Sequence, residues 1–529
     1  MLLTIKGFQG MISPGAITRT EIQSDPTASP STWNVENWPR GTISKRGGID
    51  AKHPTARSTT VIKMYEWTDL TDIHHSMVFQ SRADTTSAEI YALTTSTNAS
   101  SYGTTNFTMI LTGGTYNWVA VSGDDVIGCT TYAGSAIFVN GGATFIMSWS
   151  GNTTEAAVSA TTTPIGATCC LGWGGYLFLG NVMVGSVRKQ SRVQWNSVNS
   201  ITTWPSTYWI DLDPDDGDYI TGITLYGDQI IVFKENKIFS ISWVGGQLLF
   251  NSVRRSSEIG CIAPDTIVQK NGLIYFLSKN GVYTFDGQST RSASDKISDK
   301  ITNELNPSTV QVSKAVVYDK HEQIWFAVPK SPSTLPNRVY VMDYITGGWN
   351  AYDMDIEGLA NLTIATDQIY ASYPLPYSSY SLEKIGEQTG EESSFLGIVS
   401  NGFVSEFGGV STDLGSEFSA GWKSPWYDFG QAALNKRVLR ITALVDTVEA
   451  TGSSTLNIST FKDWDEETVR KTDTLELSAS GNEAVREKRA DFTEPCRAFK
   501  FTVSASSSAP VFSVHRLELD YIPKGRTLV

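Results

Sequence analysis

One pattern recurs along this chain and constrains what it can fold into: a short apolar strand, a turn built on Gly, Asn or Asp, then a second short strand. Ile220-Thr-Gly-Ile-Thr-Leu-Tyr226 passes through Gly227-Asp228 into Gln229-Ile-Ile-Val-Phe233, and through Glu235-Asn236 into the next apolar run. The following stretch holds Asn271-Gly272, Leu273-Ile-Tyr-Phe-Leu277, Asn280-Gly281, Val282-Tyr-Thr-Phe285 and Asp286-Gly287. Asn-Gly and Asp-Gly pairs are strong hairpin signals, because a type I′ turn needs positive φ at both central residues and these residue types tolerate it. Gly281 is accordingly expected at a positive-φ position of such a turn. Comparable units begin near residues 127, 168, 221, 264, 313 and 363, so the starts lie 41, 53, 43, 49 and 50 residues apart, and a weaker unit spans 74–93. A four-stranded propeller blade needs about 40–50 residues. Meanders at this spacing close radially and leave only short edges. The fold class expected is all-β: a β-propeller of about seven blades over residues 61–410, with a pair of stacked sandwiches as the competing arrangement.

Two flanks lie outside the repeat. Residues 1–60 carry Pro14, Pro26, Pro30, Pro39 and Pro54 with little periodicity and read as an extended N-terminal arm. Phe8, Trp33 and Trp38 in that arm call for burial against the rest of the chain or a neighbour. From about Ser411 the pattern changes. Segments such as Lys436-Arg-Val-Leu-Arg-Ile-Thr-Ala-Leu-Val445 and Val514-His-Arg-Leu-Glu-Leu-Asp-Tyr521 alternate with period two, which predicts a β-sandwich-like domain over 411–529. One helix is expected over 295–305, where Ile297, Ile301 and Leu305 share a face.

Charged residues make up 18% and aromatics 11%, the profile of a folded chain with a large core rather than a disordered one. The net charge of −13 argues against a protein built to grip a phosphate backbone. The opening Met1-Leu-Leu-Thr-Ile-Lys6-Gly7 has no apolar core of a secretory signal, and no apolar run approaches a membrane span, so folding in a reducing cytoplasm is expected. The five cysteines (Cys129, Cys169, Cys170, Cys261 and Cys496) form no CxxC and read as buried free thiols.

No catalytic, cofactor-binding or metal-binding residues are assigned. Among the histidines His53, His74, His75, His321 and His515, the adjacent His74 and His75 would point to opposite faces of a strand and cannot share a metal. His321 reads as a solvated residue at a hairpin tip. The run Asp211-Leu-Asp213-Pro-Asp215-Asp216-Gly217-Asp218 resembles a calcium loop, since hard cations take several carboxylate oxygens. Gly222 stands where such a loop has its Glu and Pro214 stiffens it, so a solvated turn is the preferred reading, with cation binding left open. There is no Gly-rich phosphate loop, nucleophile elbow or HExxH. Sequons at Asn98, Asn106, Asn152, Asn361 and Asn457 read as chance in a Ser/Thr-rich chain. No enzyme is expected.

An ordered series of short motifs resembles the tail hub, nozzle or head-completion "stabilisation" proteins of short-tailed bacteriophages. It begins with Phe8-Gln-Gly10, Trp33-Asn34-Val35 and Gly41-Thr-Ile-Ser-Lys-Arg-Gly-Gly48. It continues through Ser191-Arg-Val-Gln-Trp-Asn196, Trp204, Asp218-Tyr-Ile-Thr-Gly222, Leu225-Tyr-Gly-Asp-Gln-Ile-Ile-Val-Phe-Lys-Glu235 and Ile259-Gly-Cys-Ile-Ala-Pro264, to Lys436-Arg437-Val438 and Arg440. The usual proline after the opening arginine is replaced here by Gly47-Gly48. The resemblance implies a virion structural protein, made in the host cytoplasm. It implies a homo-oligomeric ring of six subunits that contacts adaptor or portal-proximal proteins and tail fibre or needle proteins. Double-stranded DNA would pass through without specific binding, and no membrane is involved. Lys436, Arg437 and Arg440 are expected at subunit or adaptor contacts. Two other classes stay open: a carbohydrate-binding propeller adhesin, favoured by exposed aromatics clustered on one face, and a propeller glycosidase, which needs two carboxylates facing each other across a pocket.

Overall fold

The turn pairs adopt the angles their side chains permit. In the computed structural model Asn271 and Gly272 have φ of 51° and 72°, the type I′ requirement, and Lys270 pairs with Leu273 across them. The hairpin at Asn280-Gly281 forms too, but by another turn. Ser278 pairs with Gly281, so Lys279 and Asn280 make the turn and Gly281 opens the returning strand with φ 114°. Asn280 stays outside the left-handed region. A Cβ on Gly281 would lie 2.5 Å from Ser294 Oγ, which itself accepts the Val282 N–H. Gly281→Val combines backbone strain with that collision and is expected to cost roughly 1–3 kcal/mol. An unchanged denaturation midpoint would contradict it.

The structure describes residues 1–12, 27–51, 61–68, 70, 74–81, 88–93, 107–111, 128–139, 146–149, 166–185, 187–246, 249–364, 393–408, 410–430, 434–446, 455–476, 485–492, 495–505 and 512–523. Among the described residues seven antiparallel sheets follow one another in chain order, with the first strand of each toward the centre. Blade 1 holds Val61–Thr68, His74–Ser81, Ala88–Leu93 and Phe107–Leu111. Blade 2 shows three strands, Gly128–Tyr132, Ser135–Val139 and Met147–Trp149, among the described residues. Blade 3 runs from Cys169–Trp173 to Trp209–Asp211, blade 4 from Ile220–Tyr226 to Leu249–Ser256, blade 5 from Val268–Lys270 to Thr290–Ser292, and blade 6 from Lys314–Tyr318 to Trp349–Asp353. The unit that begins near 363 also carries the apolar run Gln368-Ile-Tyr-Ala371, which lies outside the described residues.

Blade 7 closes the ring. Its strands Gly358–Ile364, Ser393–Ser400 and Phe403–Phe407 are completed by Ile49–Ala51 from the N-terminal segment, with Phe407 opposite Ile49 and Ser405 opposite Ala51. Joining the two ends of the propeller in one sheet removes the edges that an open meander would expose. Side chains stitch neighbouring blades together: Tyr65 to Thr131, Tyr132 to the Gly175 carbonyl, Asn181 to that of Ile220, Tyr226 to that of Gly272, Trp349 to that of Ala293, and Asn361 to that of Val317. Met64, Val78, Leu362, Val399 and Val404 bury the seam between blades 7 and 1. The chain is therefore an all-β protein built on a seven-bladed β-propeller.

A second body packs two sheets face to face. One has the order Val485–Asp491, Lys436–Asp446, Ser513–Pro523, Ile43–Lys45, Val35–Glu36, with Leu2–Lys6 also pairing on Ser513–Pro523. The other runs Lys471–Glu476, Thr455–Lys462, Phe499–Ala505, Ala420–Lys423, Thr32–Trp33. Alternate residues of Lys436–Asp446 turn inward, and Ile441, Ala443 and Val445 are fully buried in a core with Ile458, Phe501, Leu517 and Leu519. The segment over 1–60, expected as an extended arm lying on the rest of the chain, is built of short strands: most join the sandwich, Ile49–Ala51 joins blade 7, and Gly10–Met11 pairs in parallel with Ala28–Ser29, with Met11 in the core of blades 5 and 6. Phe8 lies in the sandwich core, its ring edge-on to Trp422 at 5.4 Å. The expected helix is present as Ser298–Glu304, with Ile297 and Ile301 buried.

Candidate functional site

The first strands of six blades, and the segment just ahead of blade 5, converge on a cavity of about 270 Å³ along the propeller axis. Gly128 and Cys129 come from blade 2, Cys169 and Cys170 from blade 3, Gly222 and Thr224 from blade 4. Three charged side chains meet there. Lys63 Nζ of blade 1 lies 2.5 Å from Asp265 Oδ1, and Lys314 Nζ of blade 6 lies 3.5 Å from Asp265 Oδ2. Asp265 sits in the one-turn 3₁₀ segment Pro264–Thr266, just ahead of blade 5. Burial works against all three charges. The two ammonium groups nonetheless hold the Asp265 carboxyl below its usual range, and Asp265 raises Lys63 against the burial penalty. Lys314, farther from the shared carboxylate, is pushed down by burial, which Asp265 only partly offsets.

Three thiols border this cavity, and burial keeps them protonated. It raises Cys129 to about 11 and Cys169 to about 12, and moves Cys170 well above the ordinary thiol value. A nucleophilic cysteine needs the opposite shift. The four buried thiols Cys169, Cys170, Cys261 and Cys496 are expected to resist an aromatic disulfide reagent in the native protein and to react once it is unfolded. Fast native labelling of any of them would contradict this assignment.

The acidic run 211–218 has its cation built in. The Lys234 side chain, fully buried, enters the loop from the second strand of blade 4. Its ammonium donates to the carbonyls of Leu212 at 3.0 Å and Asp213 at 3.2 Å, to Ser191 Oγ at 3.1 Å, and to both Asp216 carboxylate oxygens at 2.8 Å. Lys237 and Arg254 add contacts to Asp213 and Asp216. These lysine bonds outweigh burial and lower the Asp216 carboxyl to about 2. Asp218 turns the other way and accepts backbone N–H bonds from Tyr219, Glu235 and Asn236. A lysine ammonium thus stands where a calcium loop would hold its metal. Among the described residues, no group of three or more His, Cys, Asp and Glu is placed to hold a metal ion.

The N-terminal motif forms the joint between propeller and sandwich. The Arg46 side chain is fully buried and grips Asp413 with two bonds, at 2.9 and 2.5 Å. It also donates to Asn34 Oδ1 at 3.1 Å and lies 3.9 Å from the centroid of the Phe418 ring. Gly48 passes so close to the stretch after blade 7 that a Cβ there would sit 2.0 Å from the Thr412 carbonyl oxygen. His321, expected to be a solvated tip, belongs to this joint. Its ring stacks on Trp38 at 5.2 Å and its Nδ1 lies 3.1 Å from Glu36 Oε2. The N-terminal strands lay Trp38 and Glu36 over that tip, a neighbour 285 residues away in sequence. Lys436, expected at a subunit contact, is instead buried and donates to the Arg497 carbonyl within the sandwich. Arg440 is exposed and pairs with Asp491 at 2.9 Å. His74 and His75 lie on the second strand of blade 1.

A second cleft of about 600 Å³, at the meeting of blades 6 and 7 with the stretch around Asp413, contains Asp353, Asp355 and Asp413. Asp353 is held by Arg338 and Asp413 by Arg46, so two of these carboxylates are occupied by guanidinium groups. In the axial cavity Asp265 is the one carboxylate among the described lining residues.

No family model matches the chain, and no curated protein matches it. Among solved structures it is similar to virginiamycin B lyase from Staphylococcus aureus, at 11% identity over 66% of this chain and 96% of that one, with a TM-score of 0.39. It is also similar to the WD40 domain of Pan2 from Neurospora crassa, at 7% identity over 70% and 97% of the two chains, with a TM-score of 0.37. Nothing of their chemistry passes to this chain at such identities, and the propeller is defined by its own seven sheets. Lys63, Asp265, Lys314 and Lys234 were not singled out by sequence reasoning. Only Lys234 carried a local signal, a lone cation ending an apolar strand close to an acidic turn.

Proposed function

We propose that this protein is a structural component of a short-tailed bacteriophage virion, a subunit of the tail nozzle or hub ring through which DNA leaves the capsid. The observation that carries this reading is where the motifs of the family resemblance fall. Arg46 and Gly48 fasten the sandwich to blade 7. Ser191, Asp218 and Lys234 lock blade 3 to blade 4. These residues build a stiff two-part body rather than converging on a pocket, which suits a load-bearing ring. The propeller axis is crossed by Lys63, Asp265 and Lys314, so DNA would run between subunits and not through the propeller. A net charge of −13 per chain keeps such a lumen from holding its cargo. Counting copies in isolated tails tests the proposal. Six copies in a closed ring are expected; one or three, as for a tip or fibre, would overturn it.

One observation favours a carbohydrate-binding role as the second reading. Trp243, 50% exposed, lies 6.0 Å from the Tyr176 ring, and Val244 beside it is 54% exposed. Aromatic faces of this kind stack on sugar rings. Retention of the wild-type protein, and not of Trp243→Ala, on a host-glycan matrix would support that reading over the nozzle.

A further inference from the structure

We propose that Lys300 is a modification site, an amine that takes an acyl group from an activated donor, either an acyl phosphate or a thioester. This goes beyond the virion role and does not depend on it. The argument starts from the partners this side chain is given. Lys300 lies half-buried in the helix Ser298–Glu304. Among the described residues its ammonium has one hydrogen-bond partner, the Met11 sulfur at 3.1 Å. A thioether is a weak acceptor and brings no counter-charge. The two carboxylates that favour the ammonium, Glu304 of the same helix and Asp353 of blade 6, are committed elsewhere. Glu304 Oε2 accepts from Arg338 Nε at 3.1 Å and from the Tyr340 hydroxyl at 2.7 Å, and Asp353 Oδ1 accepts from Arg338 Nη1.

Burial is the largest influence on the Lys300 ammonium and disfavours its charge. Arg338 and Lys330 add repulsion, which Glu304 and Asp353 only partly offset, so the amine titrates at about 8. Desolvation and a neighbouring cation are the two means by which a lysine becomes a nucleophile near neutral pH. At about pH 7.5 such a group is about one quarter neutral, against about one part in a thousand for an ordinary lysine. Access sets Lys300 apart from the other lowered lysines. Lys45, Lys314 and Lys436 are also pushed down by burial, but their side chains are buried, whereas Lys300 keeps part of its surface open to a donor. In the transfer the neutral Nζ adds to the acyl carbonyl carbon. The bond from that carbon to the phosphate oxygen or thioester sulfur breaks, and the leaving group departs with the electron pair. The nitrogen gives one proton to solvent, and an uncharged amide remains.

The test treats the full chain with acetyl phosphate and, separately, with acetyl-coenzyme A, and reads acetylation lysine by lysine by mass spectrometry. The pH runs from about 6.5 to about 10, which spans the Lys300 value and most of the way to that of an ordinary lysine. The faster donor names the class. At about pH 7.5 Lys300 is expected to be acetylated on the order of tenfold faster than Lys296, an exposed lysine just ahead of the helix. The gain is smaller than the difference in neutral fraction because a less basic amine is also a weaker nucleophile. The Lys300 rate should be half-maximal near pH 8 and level above it. Lys330→Met, which removes one of the two repelling cations, is expected to move that midpoint upward and to slow the reaction at about pH 7.5. The wild-type profile decides the proposal by itself should Lys330→Met fail to fold. Acetylation of Lys300 no faster than that of Lys296 with both donors, or a Lys300 rate still climbing at about pH 10, overturns it.

Discussion

Arg46→Met is expected to lower the stability of the whole chain by about 3–5 kcal/mol, the range for removing one partner of a buried ion pair. The guanidinium is fully buried and serves three parts of the molecule at once. It holds Asp413 beyond blade 7, Asn34 of the N-terminal segment, and the Phe418 ring at the sandwich edge. Methionine fills much of the volume but leaves the Asp413 carboxylate without this partner and takes the Arg46 Nε–H from Asn34 Oδ1, which keeps the Asp353 N–H as a donor. Asp413 keeps 21% of its side-chain surface accessible, so solvent returns part of the loss and the lower half of the range is the better figure. Arg46→Lys is not a conservative change here, because a lysine offers no planar fork for two parallel bonds. It should recover less than half of the effect. The measurement is the denaturant midpoint of the full chain, since heating a two-body protein of this size tends to be irreversible. A midpoint within about 0.5 kcal/mol of wild type, the ordinary range for surface substitutions, would show that the joint does not depend on this residue.

The propeller was legible because its information is local. Asn271-Gly272 specifies a turn whatever surrounds it, and the strands on either side carry their own apolar residues. Blade 7 was only half legible, since its outer strand is supplied by residues 49–51, some 350 positions before its partner. The N-terminal segment was legible as an extended stretch packed on the rest of the chain, but not as strands, for the same reason. Thr32–Trp33, Val35–Glu36 and Ile43–Lys45 are two or three residues long, too short to show a period. They are strands only because Gly421 and Trp422 pair with the first, Ser513 and Val514 with the last, and Val35–Glu36 pairs on Ile43–Lys45 in turn. His321 looked solvated because Trp38 and Glu36, which cover it, are equally remote. The axial ion cluster could not be read at all: Lys63, Asp265 and Lys314 become neighbours only once the ring has closed.

Lys234→Met should produce the second large loss, also about 3–5 kcal/mol, because it withdraws a buried cation from a loop folded around it. The ammonium is shielded from solvent, since the side chain is fully enclosed. Without it the Leu212 carbonyl loses this donor, and Asp216 retains Lys237 at 2.7 Å. The pH dependence separates this role from mere packing. The Asp216 carboxyl titrates at about 2 in the folded chain, against 3.8 for the unperturbed group. A carboxyl lowered on folding adds stability that is fully present above its unfolded value and is lost as pH falls toward the folded one. Wild-type stability should therefore drop as pH falls from about 4 to about 2, while Asp216→Asn, already without the charge, should show a shallower drop over that window. Lys234→Met should flatten it as well, because the lysine bonds are what depress the carboxyl. Urea midpoints of the three proteins across this window decide the matter: parallel curves would mean that Lys234 acts only by filling space, and that the acidic run is held by its other contacts.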